Sequence, residues 1–253
     1  MCPMLFHLPA YWIMTGSGLL ALTLGAVWRA PRVGVPRGIV ARVALVGIVA
    51  GYFGAQLFSI ILTWGWIRSH WWMSWWQQFG QTGLVLYGWM LVGFAAGSVY
   101  VLRRGLPWLK LADHFAPWIM LAQAFNRVGC FLTGCCYGKP TTLPWGLRFP
   151  SLREAVHPTQ LYELGADLLV FFWLLALTKR KHDDGQVALR YFLSYAVWRF
   201  GVESLRGDAR AFFGPLSFSQ GLSLGIIAVS VTAWRLMRTR HSASVSHVEA
   251  SAG

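Results

Sequence analysis

Long apolar segments alternate with short polar segments along almost the whole chain. Seven apolar segments cover residues 10–28, 39–62, 82–102, 111–132, 158–177, 187–205 and 218–236. Each is close to the roughly 20 residues that a helix needs to cross a bilayer. The pattern therefore predicts an all-α polytopic membrane protein with about seven transmembrane helices.

The loop charges predict the orientation of these helices. Basic residues cluster after the first, third, fifth and seventh segments, at residues 29–42, 103–110, 179–181 and 235–240. Loops rich in Lys and Arg stay in the cytoplasm. We therefore expect the N-terminus outside and the C-terminus in the cytoplasm. Residues 1–8 contain no Lys or Arg, so we expect no cleaved signal peptide there.

Composition agrees with a membrane protein. Charged residues make up 12% of the chain and hydrophobic residues 56%, which leaves too little polar surface for a soluble domain. The net charge of +13 lies mostly in the loops, so it favours a role in topology over nucleic-acid binding. We predict one transmembrane domain over residues 1–238 and a disordered cytoplasmic tail over 239–253.

A tryptophan-rich segment at residues 64–81 separates the second and third apolar segments. Tryptophan favours the membrane interface, so we interpret this segment as a periplasmic arm lying on the outer leaflet. A role in facing the substrate is the alternative.

Polar residues within the apolar segments are the candidates for function, because ionisable groups are costly in a bilayer. In the fourth segment Gln123, Asn126 and Cys130 share one helical face, and Arg127 lies beside it. A glycine-rich loop is predicted over 129–157. Irregular backbone near membrane depth is tolerated where it lines a cavity. The alternative is a plain interfacial arginine followed by a turn.

The fifth segment carries a second polar face. His157, Gln160, Glu163 and Asp167 have helical spacing. Exposing the carboxylates of Glu163 and Asp167 to lipid would carry a high free-energy cost. We therefore expect them to pair with a cation from another helix.

The sixth segment carries Tyr195, Arg199 and Glu203 on one stripe, with Arg206 three residues further on. A buried ion-pair network that fixes helix packing is one interpretation. The other interpretation is a functional site, because Arg127 of the fourth segment supplies a second arginine from a different helix. Two converging arginines can bind a phosphate through charge-assisted bonds.

Three cysteines cluster in the predicted loop, at Cys130, Cys135 and Cys136, and Cys2 is distant in sequence. Their spacing matches no zinc pattern strongly, and we predict no metal and no cofactor. The alternatives are a disulfide that includes Cys130, small buried filler residues, or groups that handle a thiol substrate.

Three motifs in order resemble those of the prolipoprotein diacylglyceryl transferase family. They are NRVGCFLTG at 126–134 with GKPT and LPWG at 138–146, HPTQLYE at 157–163, and RFGVESLR at 199–206. The resemblance implies an enzyme of the bacterial cytoplasmic (inner) membrane. Such an enzyme transfers the diacylglyceryl group of phosphatidylglycerol to the lipobox cysteine of a prolipoprotein signal peptide, and glycerol phosphate leaves.

The resemblance also implies roles for individual residues. Arg127 and Arg199 match the essential arginines of the family. Further substrate-binding positions are implied at Tyr11, Gly134, Gly138, Gln160, Glu163, Tyr195, Glu203 and Arg206.

The chain departs from the family pattern in the third segment. The family has a His-Gly-Gly stretch there, and this chain has Tyr87, Gly88 and Trp89. A neutral histidine suits a general base at pH 7 better than a phenol does. Tyr87 and His157 are therefore the candidates for the base. Trp89 is expected to narrow the lipid site.

We interpret the chain as this lipid-to-protein transferase. The alternatives are a phosphatidylglycerol-dependent transferase with a different acceptor and a non-catalytic lipid-binding membrane protein. A transporter is disfavoured because the sequence shows no repeated halves.

Overall fold

The structure is a computed structural model that describes residues 4–5, 8–62, 64–69, 86–150, 152–180, 183–207, 212–213 and 216–252. Helices dominate these residues. In chain order they are α1 (Ala10–Arg29), α2 (Arg37–Leu62), α3 (Trp64–Ser69), α4 (Leu86–Arg103), α5 (Trp108–Thr133), α6 (Thr159–Leu177), α7 (Gln186–Glu203) and α8 (Phe218–Ala252). A short 3-10 helix, Ala30–Val33, follows α1.

Two small antiparallel strand pairs accompany the helices. β1 (Met4–Leu5) pairs with β2 (Leu8–Pro9) before α1, and β3 (Phe212–Phe213) pairs with β4 (Leu216–Ser217) before α8. The rest of the described chain outside the helices is loop, and its longest part comprises residues 134–150 and 152–158.

The helices confirm the apolar pattern. Within the described ranges, seven helices have 18 or more residues, and each coincides with one predicted apolar segment. Four stretches are long and apolar enough to cross a membrane, namely Ala10–Val33, Arg37–Ile61, Thr159–Leu177 and Ser219–Met237, and Gly88–Arg103 is a shorter apolar helix. Large apolar side chains such as Leu24, Leu169 and Val229 are exposed, as expected for surfaces that face lipid. The crossing of all seven helices stays a prediction.

Two helix ends differ from the sequence analysis. The predicted loop start at Gly129 is wrong, because α5 continues to Thr133 and the loop begins at Gly134. Gly129 is a packing residue, since an added Cβ would lie 3.3 Å from the Cα of Tyr11. The bounds of α8 include residues 239–252, for which we predicted disorder. Helical hydrogen bonds are local, so a helix can continue past its apolar part.

The described chain forms two compact units, Thr23–Leu111 and Met1–Leu22 with Ala112–Gly253. In the first, α2 and α4 approach closely through glycines. A Cβ added to Gly88 would lie 2.5 Å from the carbonyl oxygen of Gly54. Small residues allow such close contact between membrane helices.

Trp89 also belongs to this helix packing. Its indole nitrogen donates a hydrogen bond to the carbonyl oxygen of Ile48 at 3.3 Å, and its ring fills the space above Gly51. The ring therefore has a packing role between α2 and α4. The predicted effect of Trp89 on a lipid site stays a prediction.

In the second unit, a buried carboxylate fixes the start of α7. The two oxygens of Asp113, on α5, accept hydrogen bonds from the backbone N–H groups of Gly185 and Ala188, both at 2.7 Å. The first N–H groups of a helix have no partner within the helix, so this carboxylate satisfies them. It fixes α7 against α5 far from the polar stripes.

Parts of three predictions lie outside the described residues. The tryptophan arm is described only as α3, so the interpretation of residues 70–81 is untested. Tyr87 lies in the first turn of α4, and its side chain is outside the described part. Cys2 is outside it as well.

Candidate functional site

The polar stripes of α5, α6 and α7 meet inside the unit formed by Met1–Leu22 and Ala112–Gly253. Glu163 of α6 lies between two arginines. Its Oε2 is 3.0 Å from Nη1 of Arg127, and its Oε1 is 2.6 Å from Nη1 of Arg199. One carboxylate therefore holds together guanidinium groups from two different helices. This confirms the expected pairing of Glu163 with a cation.

A second carboxylate completes the ion-pair network. Nη2 of Arg199 is 2.8 Å from Oε2 of Glu203, one turn further along α7. The other oxygen of Glu203 accepts a hydrogen bond from the hydroxyl of Ser217 at 2.9 Å. The expected pairing of Arg199 with Glu203 is confirmed, and Ser217 joins the site from the strand before α8.

The network is buried but incompletely paired. Both arginines are 7% exposed and Glu163 is 2% exposed. Among the described residues, Nε of Arg127 and Oδ2 of Asp167 are buried without a hydrogen-bond partner. Unpaired buried polar atoms are rare and require an explanation. A free N–H of a buried guanidinium is a suitable donor for an anionic ligand.

Neighbouring polar residues fix the helices that carry the arginines. The hydroxyl of Thr15 on α1 donates to the amide oxygen of Asn126 on α5 at 3.1 Å. Deeper along the same face, the amide of Gln123 donates to the hydroxyl of Tyr191 on α7 at 3.2 Å. Tyr191 stacks on Tyr195, with ring centroids 6.3 Å apart. The side chains around Arg127 are thus tied to two other helices.

The loop after α5 begins with two tight turns. Gly134 has φ 65° and Cys136 has φ 64°. Glycine adopts this left-handed region easily, whereas a non-glycine residue rarely does. The chain therefore turns back over the end of α5 directly after the helix.

Buried side chains at the start of α6 then hold the loop. Nε2 of Gln160 donates a hydrogen bond to the carbonyl oxygen of Cys135 at 2.6 Å. The hydroxyl of Thr159 donates a hydrogen bond to the carbonyl oxygen of Cys136 at 2.7 Å. Gln160 and Thr159 are completely buried. Gln160 was predicted to bind substrate, and its contacts give it a role in holding the loop.

Gly138 allows the loop to pass close to the end of α7. A Cβ at this position would lie 2.6 Å from Cβ of His157 and 2.8 Å from the carbonyl oxygen of Leu205. The backbone N–H of Lys139 donates to that same oxygen at 2.7 Å. Gly138 also forms an isolated β-bridge with Arg206. Only glycine fits here without displacing the loop.

His157 contacts aromatic residues. Its Nδ1 lies 3.3 Å from the hydroxyl of Tyr162, and Trp145 donates from its indole N–H to that hydroxyl at 2.8 Å. His157 is partly exposed. The side chain of His157 hydrogen-bonds to Tyr162, and the ion pairs of Arg127 and Arg199 are with glutamates.

Three cysteine sulfurs lie together at the end of α5. The Sγ atoms of Cys130, Cys135 and Cys136 are all within 4.8 Å of one another. Cys130 is buried, Cys136 is partly buried and Cys135 is exposed. The thiols are not bonded to one another, so the structure contains no disulfide among these three residues.

The thiols outside the helix have unequal acidity. Hydrogen bonds with Cys130 and Cys135, with help from the Arg206 guanidinium, hold the pKa of the Cys136 thiol below its usual range. For Cys135 a hydrogen bond with Cys130 acts in the lowering direction. The hydrogen bond with Cys136 and burial outweigh it and raise the pKa of the Cys135 thiol. The pKa values of the two loop thiols thus shift in opposite directions, although both thiols share the same neighbours.

Several contact residues escaped the sequence analysis. Thr15, Ser217 and Asp113 each contribute a hydrogen bond that fixes a helix or a carboxylate of this unit. Single serines and threonines are common both in membrane helices and in the segments that connect them, so the sequence carries no signal for Thr15 or Ser217. The signal for Asp113 was available, because it is a carboxylate within an apolar segment.

Comparison with known proteins agrees with the motifs. Residues 3–236 match the family model "Prolipoprotein diacylglyceryl transferase". The chain is 35% identical over 250 residues to a phosphatidylglycerol–prolipoprotein diacylglyceryl transferase of Clostridium tetani, covering 95% of this chain and 99% of the relative. It is also 35% identical over 223 residues to the protein of that name from Clostridioides difficile, covering 86% and 88% respectively. The chain belongs to the prolipoprotein diacylglyceryl transferase family.

Proposed function

We propose that this protein transfers the diacylglyceryl group from phosphatidylglycerol to prolipoproteins. Its relatives carry that activity in their names. The observation in the structure that supports it best is the pair Arg127 and Arg199, which is held on Glu163 with Nε of Arg127 unpartnered. The site is buried within apolar helices, as a reaction on a membrane lipid requires.

The reaction makes three demands on this site. The C–O bond between the diacylglyceryl carbon and the phosphate breaks, and glycerol phosphate leaves with the electron pair. A thiolate of the acceptor cysteine forms the new C–S bond, because the thiolate is the real nucleophile. Negative charge collects on the leaving phosphate in the transition state. Preorganised guanidinium donors stabilise such charge better than water does.

Arg127 and Arg199 are the proposed catalytic residues. Each guanidinium carries five N–H donors, and the two groups use some of them on glutamates. Glu163 holds the arginines at one place despite their mutual repulsion, and it is a positioning residue. An incoming phosphate takes the remaining donors, of which Nε of Arg127 is one.

The other proposed substrate-binding residues lie in the same compact unit as this pair. Tyr11 packs against Gly129, one residue before the cysteine cluster. Gly134, Gly138 and Gln160 shape and hold the loop that covers the end of α5. A second group, formed by Tyr195, Glu203 and Arg206, lies along α7 and just after it, and all three are buried.

The general base remains assigned to one of two residues. His157 is partly exposed and its Nδ1 lies 3.3 Å from the hydroxyl of Tyr162, and a neutral imidazole offers a nitrogen that can accept a proton. Tyr87 stands in the family's histidine position. We favour a positioning role for Tyr87, because an ordinary phenol is a weak base near pH 7.

We further propose that the seven long helices all cross the bacterial cytoplasmic (inner) membrane, with the N-terminus outside. The alternation of basic loops supports this orientation. Reporter fusions after Arg32, Arg104, Arg180 and Arg240 should report the cytoplasm. Fusions after Trp72, Leu152 and Arg210 should report the outer side. Reversed reports at two or more sites would refute the topology.

A reconstituted assay tests the activity. Purified protein is mixed with phosphatidylglycerol labelled in its acyl chains and a lipobox peptide, and the label on the peptide cysteine is measured. A peptide with serine in place of that cysteine is the control. Transfer only to the cysteine peptide supports the proposal. Consumption of the lipid without label on the peptide points to another acceptor, and no consumption at all points to lipid binding alone.

Arginine-to-lysine variants test the phosphate role within the same assay. Lysine keeps the positive charge but lacks the planar fork of donors. We therefore expect R127K and R199K to lose about 100-fold or more of the rate, in the range for lost transition-state donors. R153K, on an exposed loop residue, is the matched control and should be unaffected. Full activity in R127K or R199K would refute the bidentate role.

A further inference from the structure

The three thiols are arranged by the fold, although their sequence spacing follows no common metal motif. Cys130 lies in the last turn of α5, and the backbone N–H of Cys135 donates to the carbonyl oxygen of Cys130 at 3.1 Å. This bond closes the helix end and brings the chain back. The left-handed conformation of Cys136 then directs the chain so that its sulfur joins the other two.

Their separation suits a shared thiophilic ion. Zn–S bonds of about 2.3 Å at tetrahedral angles place the sulfurs about 3.8 Å apart. All three Sγ–Sγ distances here are at most 4.8 Å without an ion. Side-chain movements of less than about 1 Å would complete the geometry, which is within ordinary rotamer freedom.

The backbone around the thiols is already fixed. Gln160 and Thr159 hold the carbonyl groups of Cys135 and Cys136, and the hydroxyl of Thr133 donates to the sulfur of Cys135 at 3.4 Å. Outer hydrogen bonds of this kind orient ligands in metal sites. A set of filler residues would not need an exposed member, and Cys135 is exposed.

The cluster lies next to the proposed substrate site. Arg206 is within hydrogen-bonding reach of the Cys136 sulfur, and Arg127 interacts electrostatically with Cys130. Tyr11 interacts electrostatically with all three sulfurs. An ion bound by three thiolates carries a net negative charge, and these arginines would offset it.

We propose that Cys130, Cys135 and Cys136 bind one thiophilic divalent ion of the Zn²⁺ class and leave its fourth coordination position for the acceptor thiol. Sites with three protein ligands and an open position are typical of reactive zinc. The second part of this proposal rests on the proposed function. The acceptor thiol binds as a thiolate and releases its proton to water. Its sulfur then forms the C–S bond while the C–O bond to phosphate breaks, and the ion keeps its charge throughout.

This site explains how the reaction proceeds without a histidine on α4. Metal coordination deprotonates a thiol at neutral pH. The protein then needs no separate strong base at Tyr87.

Cobalt binding tests the site independently of activity. The full-length protein is purified in detergent, reduced, stripped of metal and titrated with Co²⁺, whose thiolate complexes absorb strongly in the near ultraviolet. We expect one Co²⁺ per chain, displaced by Zn²⁺. The C135S variant, which changes an exposed side chain, should lose at least tenfold in affinity. The C2S variant is the matched control and should bind as the unaltered protein does.

X-ray absorption of the zinc-loaded unaltered protein gives a second measurement that needs no variant. Three sulfur neighbours at about 2.3 Å are expected. Absence of stoichiometric Co²⁺ binding by the reduced protein would overturn the site, and so would equal binding by C135S. A disulfide that re-forms during the titration and excludes Co²⁺ would also overturn it.

The open position is tested with the lipobox peptide. Adding the cysteine peptide to the Co²⁺ form should change the charge-transfer spectrum, and the serine peptide should not. An unchanged spectrum, or full transfer by the metal-free protein, would overturn the role of the ion in thiol activation. Neither result would overturn metal binding by the three cysteines. Metal binding without any transfer would count against the proposed function and not against the site.

Discussion

Replacing Glu163 with Gln should destabilise the protein and inactivate it together. The carboxylate contacts Arg127 at 3.0 Å and Arg199 at 2.6 Å, and it is 2% exposed. Glutamine keeps the shape but removes the charge. Its NH₂ group also turns a donor toward one guanidinium, which can only donate. Arg199 then keeps its ion pair with Glu203, whereas Arg127 loses its ion pair with Glu163.

The magnitude follows from the burial of this network. Removing one partner of a buried ion pair typically costs about 3–5 kcal/mol, because the remaining charge loses its compensation. For a chain of this size that corresponds to a melting temperature lower by about 6–20 °C. Thermal unfolding in detergent, followed by intrinsic tryptophan fluorescence, measures the shift. E154Q changes an exposed glutamate of the loop and should shift the melting temperature by less than about 2 °C.

A double-mutant cycle separates the ion pair from general damage. In R127Q/E163Q both charges are removed, so the combined loss should be smaller than the sum of the single losses by about 0.5–3 kcal/mol. Additive losses would show that the two side chains do not interact. An E163Q protein that melts like the unaltered one and keeps its transfer rate would refute the network as described.

Three further predictions test other parts of the structure. G138A should lower the transfer rate at least tenfold, because the new Cβ would lie 2.6 Å from Cβ of His157, whereas G165A adds a Cβ that meets nothing within 4 Å and should be neutral in the same assay. D113A should cost about 1–3 kcal/mol in the detergent melt through two lost backbone hydrogen bonds at the start of α7, and D184A, at an exposed position, should cost little. Y87F should keep most of the rate at every pH if Tyr87 positions substrate, and a loss of about 100-fold or more would show that its hydroxyl takes the proton.

The sequence predicted the helices and the charged part of the site well. The length of the apolar segments locates the helices, because a helix must be long enough to span the hydrocarbon core. Charged residues inside apolar segments stand out, because burying a charge in a membrane is costly. Arg127, Glu163 and Arg199 were therefore recognisable as candidates for one site. Their pairing followed from the same cost, since a charge within an apolar helix is stabilised by an opposite charge from a neighbouring helix.

The loop and the cysteines were less predictable. Gly129 suggested a helix break. In the structure it lies within α5, and because glycine has no side chain, Tyr11 of α1 can pack closely against it. The spacing of Cys130, Cys135 and Cys136 suggested no metal pattern, because spacing rules assume common loop shapes. Here Cys136 adopts a left-handed backbone conformation, which brings its sulfur close to those of Cys130 and Cys135. Long-range contacts of this kind depend on tertiary packing, which one sequence does not display.

The carboxylate of Asp113 has a consequence for how the protein can move. It fastens the start of α7 to α5 about 21 Å along α5 from Arg127, where the Arg127–Glu163–Arg199 bridge joins the same two helices again. These two widely separated contacts prevent α5 and α7 from sliding along each other, since a shift by one helical turn of about 5.4 Å would break both contacts. Lipid entry and product exit therefore have to be served by the segments around α5 and α7, while these two helices act as the stationary frame.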